Sequence, residues 1–460
     1  MSWPDATAIA ADITAGRTSA VAVTQATLAT IATGNPALNA FTAVTADRAL
    51  ARAAAIDADL AAGRRAGPLA GVPFAVKNLF DIEGIVTRAG AALTRNDPPA
   101  ARDAALVRRL ETAGAVLIGA LNMGEFAYDF TGENAHDGAC RNPHDTARMS
   151  GGSSSGSASA VAGGLVPIAL CSDTNGSIRV PAALCGIFGL KPTYGRLSRA
   201  GSYPFVSSLD HLGPVARSVR DLALAYDAMQ SADEDDPAQT PRPVEPVSAL
   251  IGRGGDGLRV AVAGGYFRAG AAPECLAALD AAAQALGAME MVELPHAASA
   301  RASAYLITAA EGAALHLARL RASAAGFDPD TRDRFLAGAM LPAAFVQRAQ
   351  RVRRWFGEQC KEILQRFDAV LFPATPCPAP LIGQKTIMLG TQEVPLRANL
   401  GVYTQPLSFV GLPVALAPVF PPRGMPVGVQ IAAAPWREDV ALRLAAALEA
   451  AGVAAARPPG

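Results

Sequence analysis

The sequence predicts an α/β protein, and three observations carry that prediction. Short apolar runs of strand length alternate with longer stretches of helical period. The chain is 51% hydrophobic over 460 residues, enough to bury a large core. No internal repeat or heptad array divides it into smaller units.

Taken in order, residues 19–33 predict a helix opening at a Ser19 cap. Residues 46–63 predict a second, with Leu50, Ala54, Ile56 and Leu60 along one side. Gly67, Pro68 and Gly71 then punctuate short β-type runs, and VPFAVK reads as a buried strand ending at Lys77. A helix over 103–114 leads into a strand over 115–120. Residues 153–164 are helix-compatible despite their glycines, and LVPIALC (165–171) is a strand. SDTNGS (172–177) is a tight turn, and IRVPAAL opens another helix. Residues 218–230 look helical. Residues 232–257, rich in Asp, Pro and Gly, read as a surface excursion or linker. A strand over 258–264 resumes the pattern, and 298–365 is mostly helical. Residues 367–376, 412–420 and 427–435 read as buried strands, and 437–452 as a closing helix.

Composition excludes several classes of function. Lys plus Arg equals Asp plus Glu, 40 against 40, so the chain lacks the electrostatic footprint of a nucleic-acid or membrane-surface binder. No uninterrupted apolar run reaches the ~18 residues of a transmembrane span. The N-terminus has early acids and no basic stretch, unlike a signal peptide. The six cysteines form no C-x-x-C pair and no metal spacing, and several lie in apolar runs. Buried thiols in a reducing compartment are expected, hence a soluble cytoplasmic protein.

The chemistry concentrates in residues 151–192. Two serine-rich turns, at Ser153 and Ser177, lie 24 residues apart with no histidine between them. A glycine–serine run is ordinarily a flexible linker. Here it enters the core-like AVAGGLVPIALC, which points instead to close backbone packing around a site. A turn between a strand and a helix exposes a nucleophile and aims backbone N–H groups at one point, although SDTNGS would equally make an ordinary turn. A serine nucleophile needs a base. None of the five histidines, His136, His144, His211, His296 and His316, lies in a nucleophile elbow or a zinc pattern. Lys77 is the remaining candidate. A lysine at a strand end is usually solvated, but the apolar GVPFAV before it permits burial, which would lower its pKa toward neutrality.

Lys77, GGSS (151–154) and SDTNGSIRVPAALCGIFGLKPTYGRLS (172–198) resemble the amidase signature family. NPHD (142–145), FDAVLFPATP (367–376), GLP (411–413) and PVGVQIAAAPWREDVAL (426–442) extend the likeness over nearly the whole chain. The resemblance implies the amidase signature fold, a large mixed central sheet covered by helices on both faces, formed by residues 1–460 as one domain. It implies a Ser–cis-Ser–Lys triad. Ser177 would be the nucleophile, Ser153 the bridging serine after a cis Gly152–Ser153 bond, and Lys77 the base. Thr174, Asn175, Gly176 and Ser177 would offer the oxyanion N–H groups, and Asp173 and Arg179 would brace the loop. No cofactor or metal is implied. The chain departs from the family at Asn175 and Ser155, where glycine is usual. Asn tolerates left-handed backbone, so the turn is expected to survive.

The C-terminal half is similar to the 1-carboxybiuret hydrolase subgroup of the cyanuric acid pathway. The segments are AYLITAAEGAALHLARLR (304–321), AGAMLPAAFVQRAQRVRRWF (337–356), PATPCPAPLIGQ (373–384) and NLGVYTQPLSFVGLP (399–413). That likeness implies a small planar anionic amide substrate, with Tyr305, Arg319 and Gln405 as candidate contacts. It also implies a small helical partner subunit resembling the small subunit of the tRNA-dependent amidotransferase, and so a homo- or hetero-oligomer. The other reading of the same residues is a glutamine-hydrolysing subunit of an aminoacyl-tRNA amidotransferase.

Overall fold

The computed structural model describes residues 3–460. In chain order the strands are β1 (Phe41–Val44), β2 (Pro73–Lys77), β3 (Val116–Leu121), β4 (Arg141–Asn142), β5 (Asp145–Met149), β6 (Ile168–Asp173), β7 (Phe188–Lys191) and β8 (His211–Ala216). They continue with β9 (Val260–Ala263), β10 (Glu290–Val292), β11 (Ala369–Pro373), β12 (Thr386–Leu389), β13 (Gln392–Pro395), β14 (Val414–Val419) and β15 (Val427–Ala433). Eleven of them form one sheet in the order β1-β3-β2-β6-β8-β7-β14-β15-β11-β9-β10. The strands β3, β2 and β6 run parallel, as do β11, β9 and β10, while the strands between these groups alternate in direction. The sheet is therefore mixed, as expected.

Composition explains why it is central. The strands β2, β3, β6, β8, β14 and β15 are buried at every residue. Near-continuous Val, Leu, Ile and Ala with no polar alternation suits strands covered on both faces. Helices Ser155–Ala162 and Val219–Met229 pack on β6 and β8, and Arg179–Cys185 and Glu438–Ala450 on β14 and β15. Helix starts follow their caps: Ser19 accepts from Ala22 N at the head of Ala20–Leu38, and Ser218 accepts from Asp221 N at the head of Val219–Met229.

Several elements differ from the sequence reading. The strand expected over 165–171 forms only from Ile168 onward. Leu165 N donates back to Ala160 O, closing the preceding helix, and Pro167 has no N–H to give a ladder. Strand β6 starts at Ile168 and runs on through Ser172 and Asp173, which pair with Leu212 and His211 of β8. The turn is correspondingly shorter. Residues 298–365 divide into helices Ala297–Ser323, Pro329–Ala339 and Ala343–Arg366, with Pro329 and Pro342 at the starts of the second and third. The sequence reading omitted the helices Ala6–Thr14 and Pro273–Ala285, and the strands β1, β7, β8 and β10. Residues 232–257 contain no strand or α-helix, only a 3-10 turn at Ile251–Arg253. No helix among the described residues is long and apolar enough to cross a membrane.

Candidate active site

The parallel pairing of β2 with β6 sets the site. Phe74, Ala75 and Val76 lie opposite Ile168, Ala169 and Leu170, so both strands deliver their carboxyl ends to one edge. Open α/β sheets bind ligands at such an edge. Lys77 ends β2, Asp173 ends β6, and the loop 174–178 turns from there into helix Arg179–Cys185.

Lys77 has no solvent exposure. Its Nζ lies 2.7 Å from Ser153 Oγ and 2.9 Å from Ser172 Oγ. Burial pushes its pKa down to about 7, against the smaller upward pull of Cys171, Asp173, Asp210 and Asp129. An ammonium without a paired carboxylate is costly in such surroundings, whereas a neutral amine is tolerated. The Gly152–Ser153 peptide bond is cis. The backbone around it is stitched to a neighbouring segment, with Gly152 N donating to Phe130 O and Gly124 N to Ser153 O. A Cβ on Gly152 would lie 2.6 Å from Asp129 Oδ2, so the packing leaves room only for glycine.

Ser177 is 3% exposed and faces a narrow pocket with Thr174, Asn175, Tyr128, Asp129, Tyr305, Arg334, Arg397 and Gln405. Among the described residues, no hydrogen bond joins Ser153 to Ser177, and the N–H groups of residues 174–177 have no partner within the protein. Donors of this kind, gathered at a loop before a helix, can hold an oxyanion. Gly176 has φ +143°, and a Cβ there would lie 2.1 Å from Thr404 Oγ1, which itself donates to Asn175 O. Positive φ thus falls on Gly176. Asn175 is not among the positive-φ residues, so its tolerance of left-handed backbone is not needed. Instead its amide donates to Thr308 Oγ1 at 2.9 Å. Ser155, the other departure, donates to Asn122 O at 3.3 Å.

Asp173 and Arg179 are both fully buried and bound to each other at two points, each of 3.0 Å. Burial alone would raise the Asp173 carboxyl, but the Arg179 charge and hydrogen bonds hold it well below the usual carboxylate range. Arg179 also donates to Thr404 O, Gln430 Oε1 and Ser408 Oγ, and Asp173 accepts from Ile178 N. This network ties the loop to the segment 404–408 and to β15. Asp210 adds a second tie: its carboxylate accepts from Thr174 Oγ1 at 2.6 Å and from the Phe205 and Val206 N–H groups.

Of the three candidate substrate contacts, Tyr305 and Gln405 line the Ser177 pocket and Arg319 does not. The Arg319 guanidinium is engaged by Tyr203 Oη and by Asp97, 3.3 Å away. The sequence reading missed Ser172, Arg334 and Arg397. Arg397 is paired with Asp129, and with Asp330 at 3.1 Å and Glu133 at 3.6 Å. Arg334 lies over the Tyr128 ring, 3.8 Å from its centroid, and donates to the Tyr128 and Asp330 carbonyls. It has no carboxylate partner among the described residues. A larger cavity of ≈ 340 Å³, lined by Ser172, Tyr203 and Asp210 among others, shares Ala127, Thr174 and Phe205 with the Ser177 pocket.

The amidase family model matches residues 22–442. The chain belongs to the amidase family. It is an amidase, a hydrolase acting on amide C–N bonds. It is 52% identical over 444 residues to the AtzE subunit of 1-carboxybiuret hydrolase from Pseudomonas sp. (strain ADP), covering 96% of this chain and 97% of that one. It is 39% identical over 458 residues to a glutamyl-tRNA(Gln) amidotransferase subunit of Roseiflexus sp. (strain RS-1), covering 93% and 92%. Among solved structures, a vestigial protein complex described as revealing the origins of an s-triazine catabolic enzyme superimposes with TM-score 0.98 at 51% identity. That match covers 99% of this amidase and 100% of the other chain. A bacterial aryl acylamidase of the amidase signature family superimposes with TM-score 0.90 at 25% identity, covering 98% and 96%.

Proposed function

We propose that this amidase hydrolyses a small ureido-carboxylate of the 1-carboxybiuret kind, releasing ammonia through a seryl acyl-enzyme. The observation that carries the substrate class is Arg334, a guanidinium on the wall of the Ser177 pocket with no carboxylate partner among the described residues. Such a group is a ready partner for a substrate carboxylate. The 52% identity to the 1-carboxybiuret hydrolase subunit supports the same class.

In the mechanism, neutral Lys77 takes the Ser153 hydroxyl proton while Ser153 takes that of Ser177. Ser177 Oγ attacks the amide carbon, and the N–H groups of residues 174–177 receive the oxyanion. The C–N bond breaks, ammonia departs with the proton returned through Ser153, and an acyl-Ser177 ester remains. Water, activated by the same Lys77–Ser153 pair, then releases the acid. No step calls for a cofactor or metal. Asp173, Arg179 and Asp210 hold the loop without touching substrate.

The eleven-stranded sheet draws strands from residues 41 to 433, in keeping with one amidase domain and with 232–257 as a surface excursion. The protein is expected to work in the cytoplasm with a small helical partner subunit. The second reading, glutamine hydrolysis for an amidotransferase, has weaker support, from amidotransferase relatives at 39% identity or less. Ammonia release from 1-carboxybiuret, biuret, allophanate, malonamate and glutamine decides between them. The carboxylated ureide should be turned over fastest; glutamine as the best substrate would establish the second reading.

A further inference from the structure

Gln405 is 1% exposed, and its side chain reaches the Ser177 pocket. A glutamine amide can present either its oxygen or its nitrogen, and geometry alone rarely says which. Here a neighbour does. Arg301 Nε donates to Gln405 Oε1 at 2.9 Å, and a guanidinium has donors only. The carbonyl end is therefore turned to Arg301. The Gln405 Nε2 group, the donor end, makes no hydrogen bond among the described residues.

Arg301 is itself held in place. Its second nitrogen donates to Ala398 O at 2.7 Å and Asn399 Oδ1 at 2.8 Å, and Asn399 Nδ2 donates in turn to Pro395 O. Its guanidinium lies 5.5 Å from the Tyr305 ring centroid, and Tyr305 Oη donates to the same Ala398 carbonyl. No carboxylate pairs with Arg301 among the described residues, so its charge is left to polarise the Gln405 amide.

We propose that Arg301 is a positioning residue that fixes Gln405 as a hydrogen-bond donor in the pocket, so that the site selects a substrate with an acceptor-only, anionic group there. This rests on Ser177 marking the substrate pocket and goes beyond it in assigning the polarity of one wall. The consequence is discrimination between a carboxylate and its carboxamide twin. A carboxamide lacks the carboxylate's charge and offers one acceptor oxygen in place of two, and in its other orientation donor would face donor.

The test is binding rather than turnover, so it reads out whatever the enzyme's substrate. Malonamate and malonamide are titrated by calorimetry into Ser177→Ala protein and into the same protein carrying Arg301→Leu or Arg301→Lys. Malonamate should bind more tightly than malonamide. Arg301→Leu should weaken malonamate roughly tenfold or more and change malonamide by less than about twofold. Arg301→Lys, again a donor without acceptors, should restore most of the preference. In a Gln405→Leu background, Arg301→Leu should have little further effect, because the two act as one unit. Equal weakening of both ligands, failure of the lysine variant to restore preference, full additivity with Gln405→Leu, or no preference in the parent would overturn the proposal. Failure of the ureido-carboxylate reading would appear separately, in the ammonia-release assay.

Discussion

The two walls that meet at Ser177 are built differently. One is the sheet edge and its loop, where Lys77, Ser153, Asp173 and Arg179 are buried and joined by side-chain hydrogen bonds, while the N–H groups of residues 174–177 have no partner among the described residues. The other is made by helices Ala297–Ser323 and Pro329–Ala339 and the segment 397–405. There Arg301, Arg334 and Gln405 keep donors without a partner among the described residues. In the proposed mechanism this difference separates reaction from selection. The first wall ties its residues together and lowers the pKa of a lysine; the second turns guanidinium and amide donors toward the pocket.

Breaking the first wall has the largest effect. Ser177→Ala is expected to lower kcat by about 10⁴-fold or more, since the nucleophile and its base act as one unit, and Lys77→Ala nearly as much. Steady-state ammonia release checks both, and substantial neutral-pH activity in either variant would remove the triad. Next comes the brace. Arg179→Met leaves Asp173 buried and unpaired, at an expected cost of about 3–5 kcal/mol in stability, read as a fall in denaturation midpoint. A midpoint unchanged from the parent would mean that the pair does not hold the loop.

Changes on the second wall should act on binding. Arg334→Leu is expected to raise KM for a carboxylated amide by tenfold or more, about 1.5–3 kcal/mol, with kcat less affected. A loss confined to kcat would place Arg334 with the reaction. The smallest effect is expected at Ser172→Ala, which removes one 2.9 Å contact to Lys77, about 0.5–1.5 kcal/mol, and shifts the pH profile more than KM.

The same division explains what could be read from the sequence. The reacting residues lie in short contiguous motifs, because close backbone packing demands Gly and Ser side by side at 151–154 and Gly176 beside Ser177. The selecting residues come from separate helices and carry no local signature. Arg319 and Arg334 look alike in sequence. In three dimensions Arg319 meets Tyr203 and Asp97, whereas Arg334 faces the pocket. Ser172 lies within SDTNGS, but the apolar run before it starts β6 three residues too early and so leaves Ser172 to the turn. The strands β7 and β8 are hard to read because FGLK and HLGPVA interrupt their apolar runs with Gly, Lys, His or Pro.

The proposed chemistry depends above all on a neutral Lys77 activating Ser177. Fluorophosphonate labelling of the wild-type protein, followed by peptide mapping across a range of pH, measures this directly. Lys77 must be unprotonated to act, so labelling should be slow in acid, rise through a single titration near pH 7 and level off above it, with Ser177 the only serine modified. Labelling of another serine, or a rate in Lys77→Ala equal to wild type across that range, would contradict it.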